Sequence, residues 1–196
     1  MPSIKMIVGL GNPGPQYANT RHNAGAWLLE KVAQQANQTF KNENKFHGGC
    51  TRANILGQNV YLLIPGTYMN LSGQSVAALA RFYKIPTSEI LVVHDEIDLP
   101  VGSARFKIGG GHGGHNGLRD IINKMGNEKN FHRLRIGVDH PGDSKRVANY
   151  LTEQTPSAKE RALIDEAIDE AIKSLPLYIT GDSAKAMNQL HSFQAS

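Results

Sequence analysis

Apolar residues fall in short blocks along this chain, and the spacing within each block predicts an element. Ile4 to Val8 is apolar except for Lys5, as suits a buried strand. Glycine and proline at Gly9, Gly11, Pro13, Gly14 and Pro15 then break the chain. From about Arg21, Trp27, Leu28, Val32 and Ala36 recur at helical spacing. Residues 37–48 are polar and asparagine-rich and read as a loop. Cys50 to Leu56 and Val60 to Ile64 read as a hairpin that turns at Gly57-Gln58-Asn59. Beyond Pro65-Gly66, a second helix is marked by Val76, Leu79, Ala80 and Tyr83, with Asn70 placed as its N-cap.

Ile90 to Val93 is the most hydrophobic run, suited to a central strand covered on both faces. From Ser103 to Ile108 the alternation puts Arg105 and Lys107 on one face, and from Phe131 to Val138 it does the same for Arg133 and Arg135. Between these strands lie a glycine-rich loop and a short helix of Leu118, Ile121, Ile122 and Met125, ended by Gly126. The chain then loops through Lys145-Arg146. Thr155-Pro156 supplies an N-cap and a first-turn proline for an amphipathic helix that stops at Pro176, and Asp182 caps a last short helix.

A length of 196 residues suits one domain with a full core. No apolar stretch is long enough to cross a membrane, and Met-Pro-Ser-Ile-Lys lacks the shape of a signal peptide. The single cysteine, Cys50, has no intrachain partner, so a reducing cytoplasm is the expected location. The net charge of +4 and the pI near 9.2 matter through their distribution. Residues 101–150 carry nine basic against four acidic side chains, whereas 151–196 carry four against seven. Positive charge thus gathers beside the glycine-rich loop, where a polyphosphate such as a nucleic acid could be held.

Three polar clusters hang from predicted strand ends: Asn12 with His22, His94 with Asp95, and His112 with His115 and Asn116. Asn70 sits at a fourth junction. Gly9-x-Gly11-x-x-Gly14 formally matches a dinucleotide fingerprint. Pro13 and Pro15 interrupt it, however, and Glu30, the acid at the right distance, falls inside the following helix. Ser72 lacks a Gly-x-Ser-x-Gly elbow. Two chemistries stay open. A His-Asp pair can activate water while asparagine amides position substrate and oxyanion. Alternatively, His112, His115 and Asp95 can bind a divalent metal that generates hydroxide, giving a metal-dependent esterase or nuclease. A non-catalytic RNA-binding protein is the third reading.

Four long blocks then resemble bacterial peptidyl-tRNA hydrolase, in the same order and spacing over nearly the whole chain. They are Gly-Leu-Gly-Asn-Pro-Gly-Pro-x-Tyr-x-x-Thr-Arg-His-Asn-x-Gly at 9–25, Thr-Tyr-Met-Asn-Leu-Ser-Gly at 67–73, His-Asp-Glu-Ile-Asp-Leu-Pro at 94–100 and Gly-Gly-Gly-His-Gly-Gly-His-Asn-Gly-Leu-Arg at 109–119. The resemblance implies a single α/β domain over 1–196 of the phosphorylase/hydrolase-like kind. A mixed, mostly parallel central sheet is flanked by helices, with 154–196 as a C-terminal helical segment and candidate lid. It implies a monomeric cytoplasmic enzyme, without metal or cofactor, that cleaves the ester between a peptide and the 3′ ribose of tRNA.

Carried over by motif, His22 is the general base, Asp95 holds it, and Asn12 helps discriminate blocked from free aminoacyl ends. Tyr17, Tyr68, Met69, Asn70 and Asn116 line the site for the terminal nucleotide and peptide backbone, with His115 nearby. Lys107 and Arg135 clamp a tRNA phosphate. The chain departs from the family at Gly66, where a lysine is frequent, at Tyr68, where phenylalanine is frequent, and in its acidic C-terminal segment.

Overall fold

A computed structural model of the chain describes residues 3–196. The first apolar run forms β1 (Met6–Gly9), buried throughout. Then come α1 (Ala24–Gln35), β2 (Lys41–Glu43), β3 (Gly48–Ile55), β4 (Gln58–Pro65), α2 (Ser72–Phe82), β5 (Ile90–Glu96) and β6 (Ala104–Ile108). The chain closes with α3 (Asn116–Lys124), β7 (His132–Gly137), α4 (Val147–Thr152), α5 (Ala158–Ile179) and α6 (Ser183–His191). The sheet order is β2-β3-β4-β1-β5-β7-β6. Its four central strands, β4, β1, β5 and β7, run parallel, and antiparallel neighbours extend it on both sides.

Because strand side chains alternate, each central strand feeds two cores. Ile7, Leu62, Leu91, Val93, Leu134 and Ile136 pack with α1 and α5 on one face. Met6, Val8, Leu63, Ile90 and Val92 pack with α2 and α3 on the other. The segment 154–196 is a wall of the first core: Ile164, Ala167, Ile168, Ala171, Leu175 and Tyr178 are all buried. Its end is also tied to the sheet. The Phe106 N–H donates to His191 Nε2 at 3.0 Å, and the Ala195 N–H donates to the Gly102 carbonyl at 2.9 Å.

Several boundaries differ from the sequence reading. The expected loop at 37–48 contains the edge strand β2, whose polar, solvent-facing residues carry no apolar period. The hairpin turns at Leu56-Gly57, both at positive φ (48° and 81°), as a two-residue turn requires. Leu56 adopts that backbone while 72% exposed, an apolar residue that lengthened the apparent strand. The α4 helix is too short to show a period. Ser157 caps α5 in place of Thr155, through a capping box with Glu160. Pro176 does not stop α5, because a proline near the end lacks a donor yet still accepts: its carbonyl takes the Thr180 N–H at 3.2 Å.

Asn70 does not cap α2. It lies in a 3₁₀ turn, Met69–Leu71, and the α2 amide of Gly73 donates instead to Asp120 Oδ2 at 2.8 Å. Asp182 caps α6 as expected, accepting from the Lys185 N–H at 3.3 Å.

At Gly25, the start of α1 approaches the sheet backbone directly. A Cβ at Gly25 would lie 2.2 Å from the Val93 carbonyl oxygen, and one at Gly9 would lie 2.6 Å from the Gly25 carbonyl oxygen. Alanine at 25 must therefore push helix from sheet. Gly25→Ala is expected to cost about 2–3 kcal/mol as an overpacking change, seen as a lower urea midpoint at an unchanged slope.

Candidate active site

The sheet's C-terminal edge gathers the polar clusters, where open α/β sheets hold their ligands. Asp95 ends the buried part of β5. The loop after β1 brings Asn12, a 3₁₀ turn at Arg21–Asn23 brings His22, and the residue before α3 is His115. Both carboxylate oxygens of Asp95 are used: Oδ2 lies 2.8 Å from His22 Nδ1, and Oδ1 lies 2.9 Å from His115 Nε2. His115 Nδ1 accepts from the Gly117 and Leu118 N–H groups at 3.1 and 3.4 Å, so its proton resides on Nε2. For His22, the bond to Asp95 puts the proton on Nδ1. That leaves Nε2 with a free lone pair, in a residue only 6% exposed that lines a cavity of about 460 Å³.

Electrostatics follow from this geometry. Burial raises the Asp95 pKa, but His22 and His115, by charge and by hydrogen bonds, hold the carboxyl well below the usual carboxylate range. Burial works against protonation of His22, but the charge and hydrogen bond of Asp95 outweigh it and raise the pKa above the ordinary 6.5. His94 behaves differently. Burial first, then His115, pushes its pKa down to about 3. Its Nδ1–H donates to the carbonyl of Asp95 at 2.8 Å, so it is a neutral brace, and its Nε2 is buried without a partner.

Asn12 is fixed from two sides. Its Oδ1 accepts the Met69 N–H at 2.7 Å. Its backbone is clamped by Asn23, which accepts the Asn12 N–H at 2.9 Å and donates to the Asn12 carbonyl at 3.0 Å. Only the Asn12 amide Nδ2 remains for a ligand. Tyr17 and Tyr68 meet edge to face, with ring centroids 6.4 Å apart, and Tyr68 is 56% exposed. Met69 is buried against the start of α3, where a Cβ at Gly117 would lie 2.6 Å from its sulfur. Asn70 and Asn116 are exposed, and Asn116 lines the cavity. The fingerprint-like glycines make room for protein atoms, not for phosphate: the space at Gly9 is filled by Gly25, and that at Gly11 by Asn23.

The basic strands pair Arg105 with Arg135 and Lys107 with Arg133, so four cations share one face of β6–β7. Among the described residues none of the four has a carboxylate within 4.0 Å. Arg133 is only 2% exposed, and its guanidinium donates to the carbonyls of Gly110 and Gly111, which pins the glycine-rich loop. Lys107 and Arg135 remain free. Arg135 is the register partner of His94, one strand from Asp95.

The metal set left open as an alternative by the sequence, His112, His115 and Asp95, is not assembled. His112 Nδ1 accepts from the Gly114 N–H at 2.9 Å, within its own loop. The groups that do converge within 4.8 Å are His22, Asp95 and His115. Their facing nitrogens carry protons donated to the carboxylate, an arrangement built for hydrogen bonding.

Sequence reasoning passed over Arg21, Asn23 and Asp120. Arg21 donates to the carbonyls of Tyr150 and Gln154 at 3.2 and 3.4 Å, pairs with Glu160 at 3.5 Å and stacks 3.8 Å over the Tyr150 ring. It locks the turn that carries His22. The signal was present in the Arg-His-Asn triplet of the first block, which places His22 between two anchors.

Among the described residues His22 hydrogen-bonds to Asp95 and to no serine, threonine or cysteine, a geometry consistent with a hydrolase that works without a side-chain nucleophile on that histidine. The chain belongs to the peptidyl-tRNA hydrolase family: the model of that description matches residues 6–196. It is 57% identical to a peptidyl-tRNA hydrolase of Erwinia tasmaniensis over 195 residues, covering 100% of both chains. It is also 57% identical to one of Vibrio parahaemolyticus over 192 residues, covering 98% of this chain and 97% of that one. The solved structure of the peptidyl-tRNA hydrolase from Acinetobacter baumannii superposes with a TM-score of 0.94 at 49% identity, covering 98% of this chain and 97% of that one.

A base acts in its neutral form, so with His22 in that role activity should fall as pH drops through its raised pKa. In Asp95→Asn the charge that raises it is gone. The acid limb of kcat/KM should then move to lower pH while the plateau falls, as a pH–rate profile of the two chains would record.

Proposed function

We propose that this chain hydrolyses the ester between a peptide, or an N-blocked amino acid, and the 3′ ribose of tRNA, acting as a monomer in the cytoplasm. The observation that carries the reading is the free Nε2 of His22, in a cavity, with Nδ1–H committed to Asp95. In the reaction, Nε2 takes a proton from water as the water oxygen bonds to the ester carbonyl, and Asp95 stabilises the imidazolium. The tetrahedral oxyanion then collapses. The bond to the ribose 3′ oxygen breaks, and that oxygen receives the proton from His22. Free tRNA and a peptide carboxylate leave. An ester is reactive enough for a positioned water and one base.

The remaining residues supply recognition. Asn12 offers an uncharged amide, which attracts a free α-amino group less than a carboxylate would. Asn70 and Asn116 each present a donor and an acceptor to peptide main chain without reading side chains. Tyr17 and Tyr68 offer the terminal nucleotide aromatic surface, the buried Met69 holds Asn12 through its backbone N–H, and His115 holds Asp95. Lys107 and Arg135 bind an RNA phosphate, which brings the RNA onto the β6–β7 side. In line with a location in the cytoplasm, no helix among the described residues is long and apolar enough to cross a membrane.

With N-acetylated aminoacyl-tRNA and EDTA present, wild type should release the acylated amino acid while leaving unblocked aminoacyl-tRNA intact. His22→Ala should lower kcat by about 10²–10⁴. Cleavage that dies with the chelator would move the chemistry to a metal, and binding without cleavage would leave an RNA-binding protein. Lys107→Ala and Arg135→Ala should each flatten the dependence of log affinity on log salt by about one unit. An unchanged slope in filter binding would remove the phosphate clamp.

A further inference from the structure

At the end of the strands away from Asp95, four aromatic rings meet where the core under α2 reaches the surface. Tyr61 stacks on Tyr83 with centroids 4.1 Å apart, and Tyr83 lies 4.9 Å from Phe82 and 5.8 Å from Phe46. Phe46 and Phe82 meet edge to face at 5.3 Å. Phe46 is buried, but Phe82 is 56% exposed and Tyr83 37%. We propose that this array is a second RNA surface, separate from the hydrolytic site. It takes unpaired nucleotides, stacking their bases on the exposed rings and holding their phosphates on the cations around them.

The exposure follows from the sequence. Phe82 and Tyr83 are consecutive at the end of α2, and neighbours on a helix point about 100° apart, so one buried face cannot hold both rings. Cations then cover the array. Lys45 Nζ lies 4.5 Å over the Phe82 ring, and the Arg52 guanidinium lies 5.1 Å over Tyr61. Register adds Lys41: it pairs with Cys50, two residues before Arg52, which pairs with Tyr61, so all three side chains lie on the face that packs on α2. Lys84, next to Tyr83, is exposed as well. Among the described residues none of these four cations has a carboxylate within 4.0 Å. Against them stands Glu43, half-buried on the same face and itself without an ion pair.

What the patch lacks partners for identifies its occupant. Exposed flat rings flanked by free cations suit a chain that presents a π face and a negative charge at every residue, as single-stranded RNA does. A duplex hides its bases, and an acidic protein brings charge without the stack. The place is also distinct from the site of hydrolysis. Tyr61 is the register partner of Met6, the first residue of β1, whereas Asp95 lies near the end of β5, which runs parallel to β1. The sheet order also puts β4, β3 and β2 on the opposite side of β1 from β7 and β6, the strands of Arg135 and Lys107.

The test is fluorescence anisotropy of a labelled single-stranded RNA octamer, titrated with the full chain carrying Lys107→Ala and Arg135→Ala so that the phosphate clamp is disabled. The octamer should bind. Adding Phe82→Ala should weaken it about tenfold, the loss of one stacked base. Adding Lys45→Ala or Arg52→Ala should each flatten the dependence of log affinity on log salt by about 0.7. Both of these side chains are exposed, so the two variants decide the question even if Phe82→Ala fails to fold. An RNA duplex of the same sequence should displace the octamer at least tenfold less well than the unlabelled single strand. No binding of the octamer, or an affinity and salt slope unchanged in the variants, overturns the surface. Equal displacement by the duplex overturns the stacking, and displacement by a polyglutamate peptide of equal charge would give the patch to an acidic protein and overturn RNA as its occupant. None of these readouts needs cleavage, so failure of the hydrolase reading would register separately.

Discussion

The structure turns on one buried anion. Asp95 lies at the end of a strand covered on both faces, where an uncompensated carboxylate would cost several kcal/mol. It is tolerated because two imidazole N–H groups, from His22 and His115, meet its two oxygens. Each donor is itself held: His22 in a turn that Arg21 locks to α4 and α5, His115 by its own role as the cap of α3. Loops distant in sequence thus converge because a single charge needs them. The same compensation fixes the His22 proton on Nδ1, so under the proposed mechanism stability and chemistry share one set of contacts.

Much of the fold was legible because central strands and amphipathic helices must bury wide faces. Ile90–Val93 and the alternation at 131–138 could hardly be read otherwise. What escaped was set by other forces. Strand β2 belongs to the sheet through backbone pairing alone, α4 is shorter than the period that would reveal it, and Asn70 lost its capping role to Asp120, a residue 50 positions away in sequence. For Pro176, the expected stop ignored that a missing donor matters little one turn from a helix end.

The site was legible to a similar depth. Residue pattern put polar clusters at strand ends, and the family blocks singled out His22, Asp95 and Asn12. That Asp95 serves two histidines, with His115 and not His112 as the second, depends on which loop reaches it, and spacing within a glycine-rich segment does not encode that. Alternation correctly put Arg133 and Arg135 on one face. It could not distinguish a guanidinium sunk onto the Gly110 and Gly111 carbonyls from one left free, because a period assigns a face and not a depth.

Three positive side chains, Arg105, Lys107 and Arg135, stand around a fourth that is sunk into the glycine loop, and Glu96 and Asp98 offset part of that charge without forming an ion pair within 4.0 Å. In the unliganded protein this is stored repulsion, offset by the packing of β6 and β7. Any multivalent anion that settles there discharges it and, by mass action, favours the folded chain. The stability of this protein is therefore not a property of the polypeptide alone. With the proposed phosphate contact in place it should vary with the anion in the buffer, so that a melting temperature taken in phosphate would describe a different thermodynamic system from one taken in chloride.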